Sequence, residues 1–232
     1  MKLKQIKYFL FFSLILNGII AMASCDGDTI RLKPSLVSKK PYHPQPLILK
    51  TNPLAILWGP IPFTSEYRMV AEITTGRTQS TQVGISIFGT SPLWKAIEKA
   101  AKVPSYYQLK IRGWRIQASH KFYLISRRRY APFGFYVSPL VSYSNARISL
   151  QNYKQNYFEF SHFNANILIG VQLGRNTKLT IDIFGGLGYK ENTVFYHINS
   201  YRSVPYSTKD FGDLYNSPVK ATFGINFGYA IY

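Results

Sequence analysis

The chain has 232 residues, 46% of them apolar and 16% aromatic, with 28 basic against 10 acidic residues and a single cysteine. That length holds one domain plus an export signal; the lone cysteine excludes a disulfide within the chain, and no apolar run after the first two dozen residues reaches the roughly 20 residues of a helical membrane span. The positive excess invites a nucleic-acid reading, but without helix-turn-helix, zinc-ligand or RNA-binding patterns, and with an export signal, it points to basic loops and strand ends beside anionic lipid.

Residues 1–24 read as a signal peptide. Lys2, Lys4 and Lys7 precede the apolar run from Tyr8 to Ile20, and Ala21-Met22-Ala23-Ser24-Cys25 forms a small-residue exit. Two cuts compete there. Ala21-Met22-Ala23 suits ordinary signal peptidase, whereas Met22-Ala23-Ser24-Cys25 resembles a lipobox in which Cys25 would carry lipid. Residues 25–46, with Pro41, Pro44 and Pro46 and no periodicity, read as a periplasmic linker.

From residue 47 to 232 the chain divides into segments of period two. The first two, Leu47 to Trp58 and Ile61 to Val70, are separated by the turn signal Gly59-Pro60, and the third runs from Thr81 to Gly89. Ser91-Pro92-Leu93-Trp94-Lys95-Ala96-Ile97-Glu98 interrupts them. Ser91 can cap, Pro92 suits the first helical position, and Leu93, Ile97 and Ala100 or Ala101 share a face, which predicts a short amphipathic helix in a loop. Such a helix would cover the rim, rest on the membrane or gate the mouth.

The fourth segment, Tyr107 to Leu124, changes parity near Gly113, where a β-bulge would repair the register. After the basic turn Arg127-Arg128-Arg129, the fifth runs from Pro132 to Ser144, with a bulge or break expected at Pro139, which has no ladder donor. The sixth sets Phe163, Ala165, Ile167, Ile169, Val171 and Leu173 against Asn164, Asn166 and Gln172. A turn at Gly174-Arg175-Asn176-Thr177 leads to the seventh, Lys178 to Tyr189. A long loop, Glu191 to Pro218, precedes the eighth, which alternates from Ala221 to Tyr232.

Eight alternating segments behind an export signal predict an all-β fold, an eight-stranded antiparallel transmembrane β-barrel with a short amphipathic helix in an outer loop. Long connections after strands three, five and seven would face outward, with the tight Gly59-Pro60 connection as an exception. The apolar parity would face lipid. The polar parity would close the lumen with a network of Glu66, Arg68, Arg112, Arg115 and Asp182, joined by Lys121, Asn164, Asn166 and Asn226, with Glu66 and Asp182 each beside an arginine. The opposite assignment, a water-soluble barrel with the charges outside, is disfavoured because the other face is too uniformly apolar.

Four stretches carry a family resemblance: Thr51-Asn52-Pro53-Leu54-Ala55 running into Ser65-Glu66-Tyr67-Arg68; Ile111-Arg112-Gly113-Trp114-Arg115-Ile116-Gln117 with Phe122-Tyr123-Leu124; Ala131-Pro132-Phe133-Gly134-Phe135-Tyr136-Val137; and Ile181-Asp182-Ile183-Phe184-Gly185-Gly186-Leu187-Gly188-Tyr189 with Phe227-Gly228-Tyr229-Ala230. By their order and spacing the chain resembles small Bacteroides-type outer-membrane β-barrels of unknown function. The resemblance implies an outer-membrane location and carries over no catalytic residue. Tyr232 departs from it by falling on the polar parity, so the barrel-assembly machinery would read Tyr229 or Ile231.

Catalysis is not expected. Glu159, Ser161, His162 and His197 gather near the outer rim, but adjacent strand residues point to opposite faces, so Ser161 and His162 cannot pair as nucleophile and base. The histidines (His43, His120, His162, His197) lack metal-ligand spacing, and neither a cofactor nor a metal is expected. Two functional classes follow. One is a structural or surface-interaction protein whose Tyr- and Asn-rich outer loops, Asn152 to Tyr157 and Tyr196 to Tyr215, meet lipopolysaccharide or an extracellular partner. The other is a narrow pore or transporter component; an outer-membrane lipid-modifying enzyme ranks below both.

Overall fold

The computed structural model describes residues 47–57, 59, 63–124, 131–152, 155–174, 178–199, 202–207 and 213–231. The signal peptide, Cys25, the linker, the arginine turn at 127–129, most of the turn at 174–177 and Tyr232 lie outside the described residues. The strands are β1 (Leu47–Thr51), β2 (Thr64–Gly76), β3 (Gln79–Thr90), β4 (Leu109–Tyr123), β5 (Gly134–Leu150), β6 (Tyr157–Leu173), β7 (Leu179–Ile198), β8 (Arg202–Tyr206) and β9 (Val219–Ile231). Helices α1 (Leu54–Leu57), α2 (Pro92–Ala100) and α3 (Asp213–Asn216) lie in the connections.

Strands β1 to β7 pair in chain order, β7 pairs with β9, and β9 returns to β1, so eight antiparallel strands close a ring. Closure leaves no free edge in that ring. β8 stands outside the count. It pairs with Val194–Ile198 of β7, beyond the stretch Leu179–Tyr189 that β9 occupies, and so lengthens the wall locally.

Leu47 lies opposite Ile231, which puts both ends of the ring's chain on one rim, together with the two-residue turn Arg77-Thr78. The opposite rim carries the far ends of β1, β3, β5 and β7, with α1, α2 and α3 in the connections beyond β1, β3 and β7. The expected exception at Gly59-Pro60 disappears, because β1 stops at Thr51. Asn52 ends it by capping: its Oδ1 accepts from the Ala55 N–H at 3.2 Å, with Pro53 next in the chain, so Leu54–Leu57 coil into α1 instead of extending the strand.

β4 runs straight through Gly113, with Trp114 opposite Ile87 and Asn145, and Gly113 opposite Phe88 and Ala146. No bulge forms. The change of parity in the sequence has another cause: Leu109 and Ile111 are apolar residues that face inward near the rim, Ile111 being buried. At Pro139 the ladder to β4 skips from Ser119–Leu140 to Phe122–Val137 with register unchanged, while pairing to β6 continues through Pro139–Ile167. The missing donor breaks bonds on one side without inserting a residue.

The outer wall is apolar. Ile87 is 67% exposed, Ile169 64% and Phe223 88%, in company with Val83, Ile85, Phe135, Ile167 and Leu179. Buried positions are instead largely polar or charged, among them Lys50, Glu66, Glu72, Lys121 and Asp182. This is the polarity of a barrel whose solvent is hydrocarbon, as the alternation predicts. None of the described helices is long and apolar enough to cross a membrane.

Helix α2 is attached by its polar side. Glu98 accepts from the Trp94 indole and the Leu109 N–H, each at 2.9 Å, and the Trp94 ring meets Phe63 edge-on at 6.0 Å. Ser91 does not cap with its side chain; its hydroxyl donates to the Leu57 carbonyl at 2.9 Å and ties α2 to the α1 segment. Leu93 and Ile97 point away from the protein, 48% and 54% exposed.

Candidate functional site: a two-layered charged lumen

Alternation sends every second residue of each strand inward, and register carries that choice around the ring. Lys50 lies opposite Gly228, Lys121 opposite Ser80, Tyr123 opposite Tyr136, and Gln172 opposite Asp182. Residues far apart in sequence therefore meet in the half of the lumen nearest the chain ends.

Four charges form the first layer: Lys50 of β1, Glu72 of β2, Lys121 of β4 and Asp182 of β7, none with a side chain more than 2% exposed. Lys50 contacts Glu72 Oε2 and donates to Asp182 Oδ2 at 2.9 Å, and Lys121 donates to the same Asp182 oxygen at 2.7 Å. Gln172 Oε1 accepts from both ammonium groups at 2.8 Å, while its amide donates to Glu72 Oε2 at 3.1 Å. The remaining oxygens are served by hydroxyls: Tyr136 donates to Asp182 Oδ1 at 2.6 Å, and Tyr123, at 2.9 Å, and Ser80 donate to Glu72 Oε1. Lys121 also lies 3.9 Å from the centroid of the Tyr136 ring. Two cations thus face two anions with all four carboxylate oxygens occupied, the condition under which buried charge is tolerable.

Two glycines make room for this plug. A Cβ on Gly170 would fall 2.5 Å from the Tyr136 ring, and one on Gly228 would fall 2.8 Å from Lys50 Cγ. The side chains cross the lumen because the facing walls are bare at those points.

The second layer lies toward the loop rim. Glu66 accepts from Arg115 Nη1 at 2.8 and 3.0 Å and from Arg68 Nε at 3.0 Å, and the Arg115 guanidinium lies 5.0 Å over the Phe88 ring. A cavity of about 50 Å³ is lined by residues of both layers, among them Arg68, Arg115, Lys121, Tyr136 and Asp182, together with Lys220. Replacing Glu66 with Gln leaves Arg68 and Arg115 without an acidic neighbour in the second layer. The expected cost is about 1.5–3 kcal/mol, the range for hydrogen bonds to charged groups, read as a lower urea midpoint for unfolding in lipid vesicles.

Aromatic rings narrow the loop-rim mouth on the β6–β7 side. Phe158 meets Tyr196 at 4.8 Å and Tyr206 at 5.5 Å, and Phe160 meets Tyr215 at 6.1 Å. Asn192 fastens this cluster. Its amide donates to the Tyr215 carbonyl at 2.6 Å and its oxygen meets His162 Nδ1 at 2.7 Å. Burial pushes the Tyr215 phenol well above its ordinary pKa. Three of the loop tyrosines that the sequence offers to a partner are thus engaged within the chain itself.

Of the predicted network, Glu66, Arg68, Arg115 and Asp182 face the lumen, and Glu66 is indeed held by arginines. Asp182 is held by lysines instead, in a separate layer. Arg112 is a correction. A bulge at Gly113 would have put it on the same face as Arg115; in an unbroken strand residues three apart take opposite faces, and Arg112 is exposed on the outer wall. Lys50 and Glu72 are the plug residues the sequence did not yield, although a charge on the polar parity of an apolar strand was the available signal.

Ser161 and His162 face opposite sides of β6; Glu159 Oε1 accepts from the Asn145 amide at 2.7 Å, and Glu159 Oε2 lies 2.8 Å from His197 Nε2. Ser161 sits opposite Thr193, four positions along β7 from His197, so the three do not assemble as nucleophile, base and orienting acid. Among the described residues no group of histidine, cysteine, aspartate and glutamate side chains could hold a metal ion.

No family model and no curated protein matches the chain. Among solved structures it is similar to a major outer membrane protein from Thermus thermophilus, with 12% identity and a TM-score of 0.40 over 80% of this chain and 97% of that one.

Proposed function

We propose that the protein is a small outer-membrane β-barrel with a structural or surface-interaction role, exported by its N-terminal signal and inserted by the barrel-assembly machinery, which reads Tyr229 or Ile231 on the outward parity of β9. The observation that carries this reading is the neutral, hydrogen-bonded plug of Lys50, Glu72, Lys121 and Asp182 across the lumen. A conduit needs weak, exchangeable contacts along its path; here every carboxylate oxygen is already occupied. The partners of such a protein lie around the barrel: lipopolysaccharide, outer-membrane lipid and an extracellular partner reached through the loops. No catalytic step is part of this reading.

One observation favours the second reading, a narrow pore or transporter component: the second layer sets two arginines, Arg68 and Arg115, against the single carboxylate of Glu66, an imbalance that would attract anions. The test is heat-modifiable gel migration of protein from outer-membrane fractions alongside planar-bilayer conductance of the same sample. Faster migration unheated than boiled, without conductance, is expected. Steady conductance would favour the pore, and recovery only as a soluble periplasmic protein would overturn the membrane placement.

A further inference from the structure

The straight course of β4 has a consequence on the outer wall. Lys110 and Arg112 become its first outward residues at the loop rim, and the register sets Arg112 directly opposite Arg147 of β5 and Lys110 opposite Ser149. Like charges facing one another across an antiparallel pair destabilise a sheet. With Ser149 and Tyr157 these three cations line an open groove of about 180 Å³ that has no acidic side chain in its wall. The acid opposite Arg147, Glu159, is turned to His197 and Asn145. Arg147 is steadied from the other direction: its guanidinium lies 5.2 Å over the Tyr157 ring, which stacks on His197 at 4.5 Å and 12°.

The place of the groove along β4 bears on what it suits. Along the outward face of β4, Lys110 and Arg112 give way to Trp114 and Ile116, each 45% exposed, and Trp114 meets Tyr143 of β5 at 5.7 Å. Arg112 therefore sits one pleat, about 7 Å, above an aromatic step that itself tops the apolar wall. That is headgroup depth, where amphipathic rings mark the interface and the anions on offer are phosphates. Two guanidinium forks side by side match phosphate oxygens, and an ammonium and a hydroxyl complete the donor set.

We infer that the Lys110–Arg112–Arg147 groove is a binding site for the phosphate of an outer-leaflet lipid headgroup. The inference rests on the membrane-barrel reading and names one lipid contact of that barrel. A free phosphate has the same chemistry but lacks the acyl chains that would lie along Trp114 and Ile116.

The test uses the full-length mature protein in detergent, first checked for heat-modifiable migration, so that a failure of the barrel reading shows itself before any lipid is added. Equilibrium binding of bis-phosphorylated lipid A is then compared among wild type, the double variant Arg112→Gln/Arg147→Gln, the fork-removing variant Arg147→Lys, and a control of equal charge change on α2, Lys95→Gln/Lys99→Gln. Binding at least about tenfold weaker in the glutamine pair is expected from the loss of two charge-assisted contacts, with an intermediate loss in Arg147→Lys and none in the α2 control. All the altered side chains lie at the exposed rim, and Arg147→Lys keeps the charge should the glutamine pair fail to assemble. Equal binding by the groove variants would overturn the site. An equal loss in the α2 control would reduce it to general charge attraction, and competition by inorganic phosphate at the same concentration would mark it as a free-anion site.

Discussion

Asp182→Asn is expected to destabilise the barrel by about 3–5 kcal/mol, the cost of leaving a buried charge without its partner. Asp182 Oδ2 is shared by Lys50 at 2.9 Å and Lys121 at 2.7 Å, and Oδ1 receives the Tyr136 hydroxyl. An amide in its place keeps one acceptor oxygen but loses the charge and the second acceptor, and leaves two lysines to one carboxylate, Glu72. The cause is charge imbalance, so a second substitution that removes a cation reverses most of it. The double variant Asp182→Asn/Lys121→Gln is expected to lie well above the sum of the two single losses, because the residues are in one network and do not act independently. Urea midpoints in lipid vesicles, followed by gel mobility, provide the comparison. Additive losses would mean that the four charges do not act as a unit.

The second large effect concerns passage. Wild-type protein is expected to be silent in a planar bilayer, and a charge-balanced variant with Lys50, Glu72, Lys121 and Asp182 all replaced by Ala is expected to conduct. Replacing all four together leaves no buried charge unpaired and removes the side chains that cross the lumen where Gly170 and Gly228 leave the wall bare. The layer that remains, Glu66 with Arg68 and Arg115, carries more cations than anions, so the current should favour anions over cations. A variant that folds by gel mobility yet stays silent would shift the barrier to the aromatic cluster of Phe158, Phe160, Tyr196, Tyr206 and Tyr215. Conductance in the wild type would instead favour the pore reading.

The two layers differ in how they are built. Glu66 and Arg68 are two apart on one strand, so one face of β2 carries both, and Arg115 joins them from two strands away. The lower layer draws one charged residue from each of four strands, with 132 positions between Lys50 and Asp182. A local pair can be read along a strand; a cross-lumen quartet exists only after the ring closes.

Helix α2 illustrates the same division. Its start at Pro92 and its apolar set, Leu93 and Ile97, are visible in the residues, and the helix is present at Pro92–Ala100. That Glu98 anchors it to the N–H of Leu109, leaving Leu93 and Ile97 directed away from the protein, depends on where β3 and β4 deliver its two ends.

By itself the sequence determined the class of fold and its polarity, since period-two alternation needs only the geometry of an extended chain. Phe163 to Leu173 against Asn164 to Gln172, and Ala221 to Ile231 with its aromatics, state which face meets lipid before any strand is paired. Strand ends and partners were decided by the tertiary structure. Asn52 could end β1 by capping α1 or continue it, and Gly113 could bulge or run straight; the cap forms at Asn52, and Gly113 pairs in register with both Phe88 and Ala146. That choice moved Arg112 from the lumen to the outer wall, and ring closure brought Lys50 and Glu72 onto Lys121 and Asp182, because register is a property of pairs of strands and a single strand does not contain it.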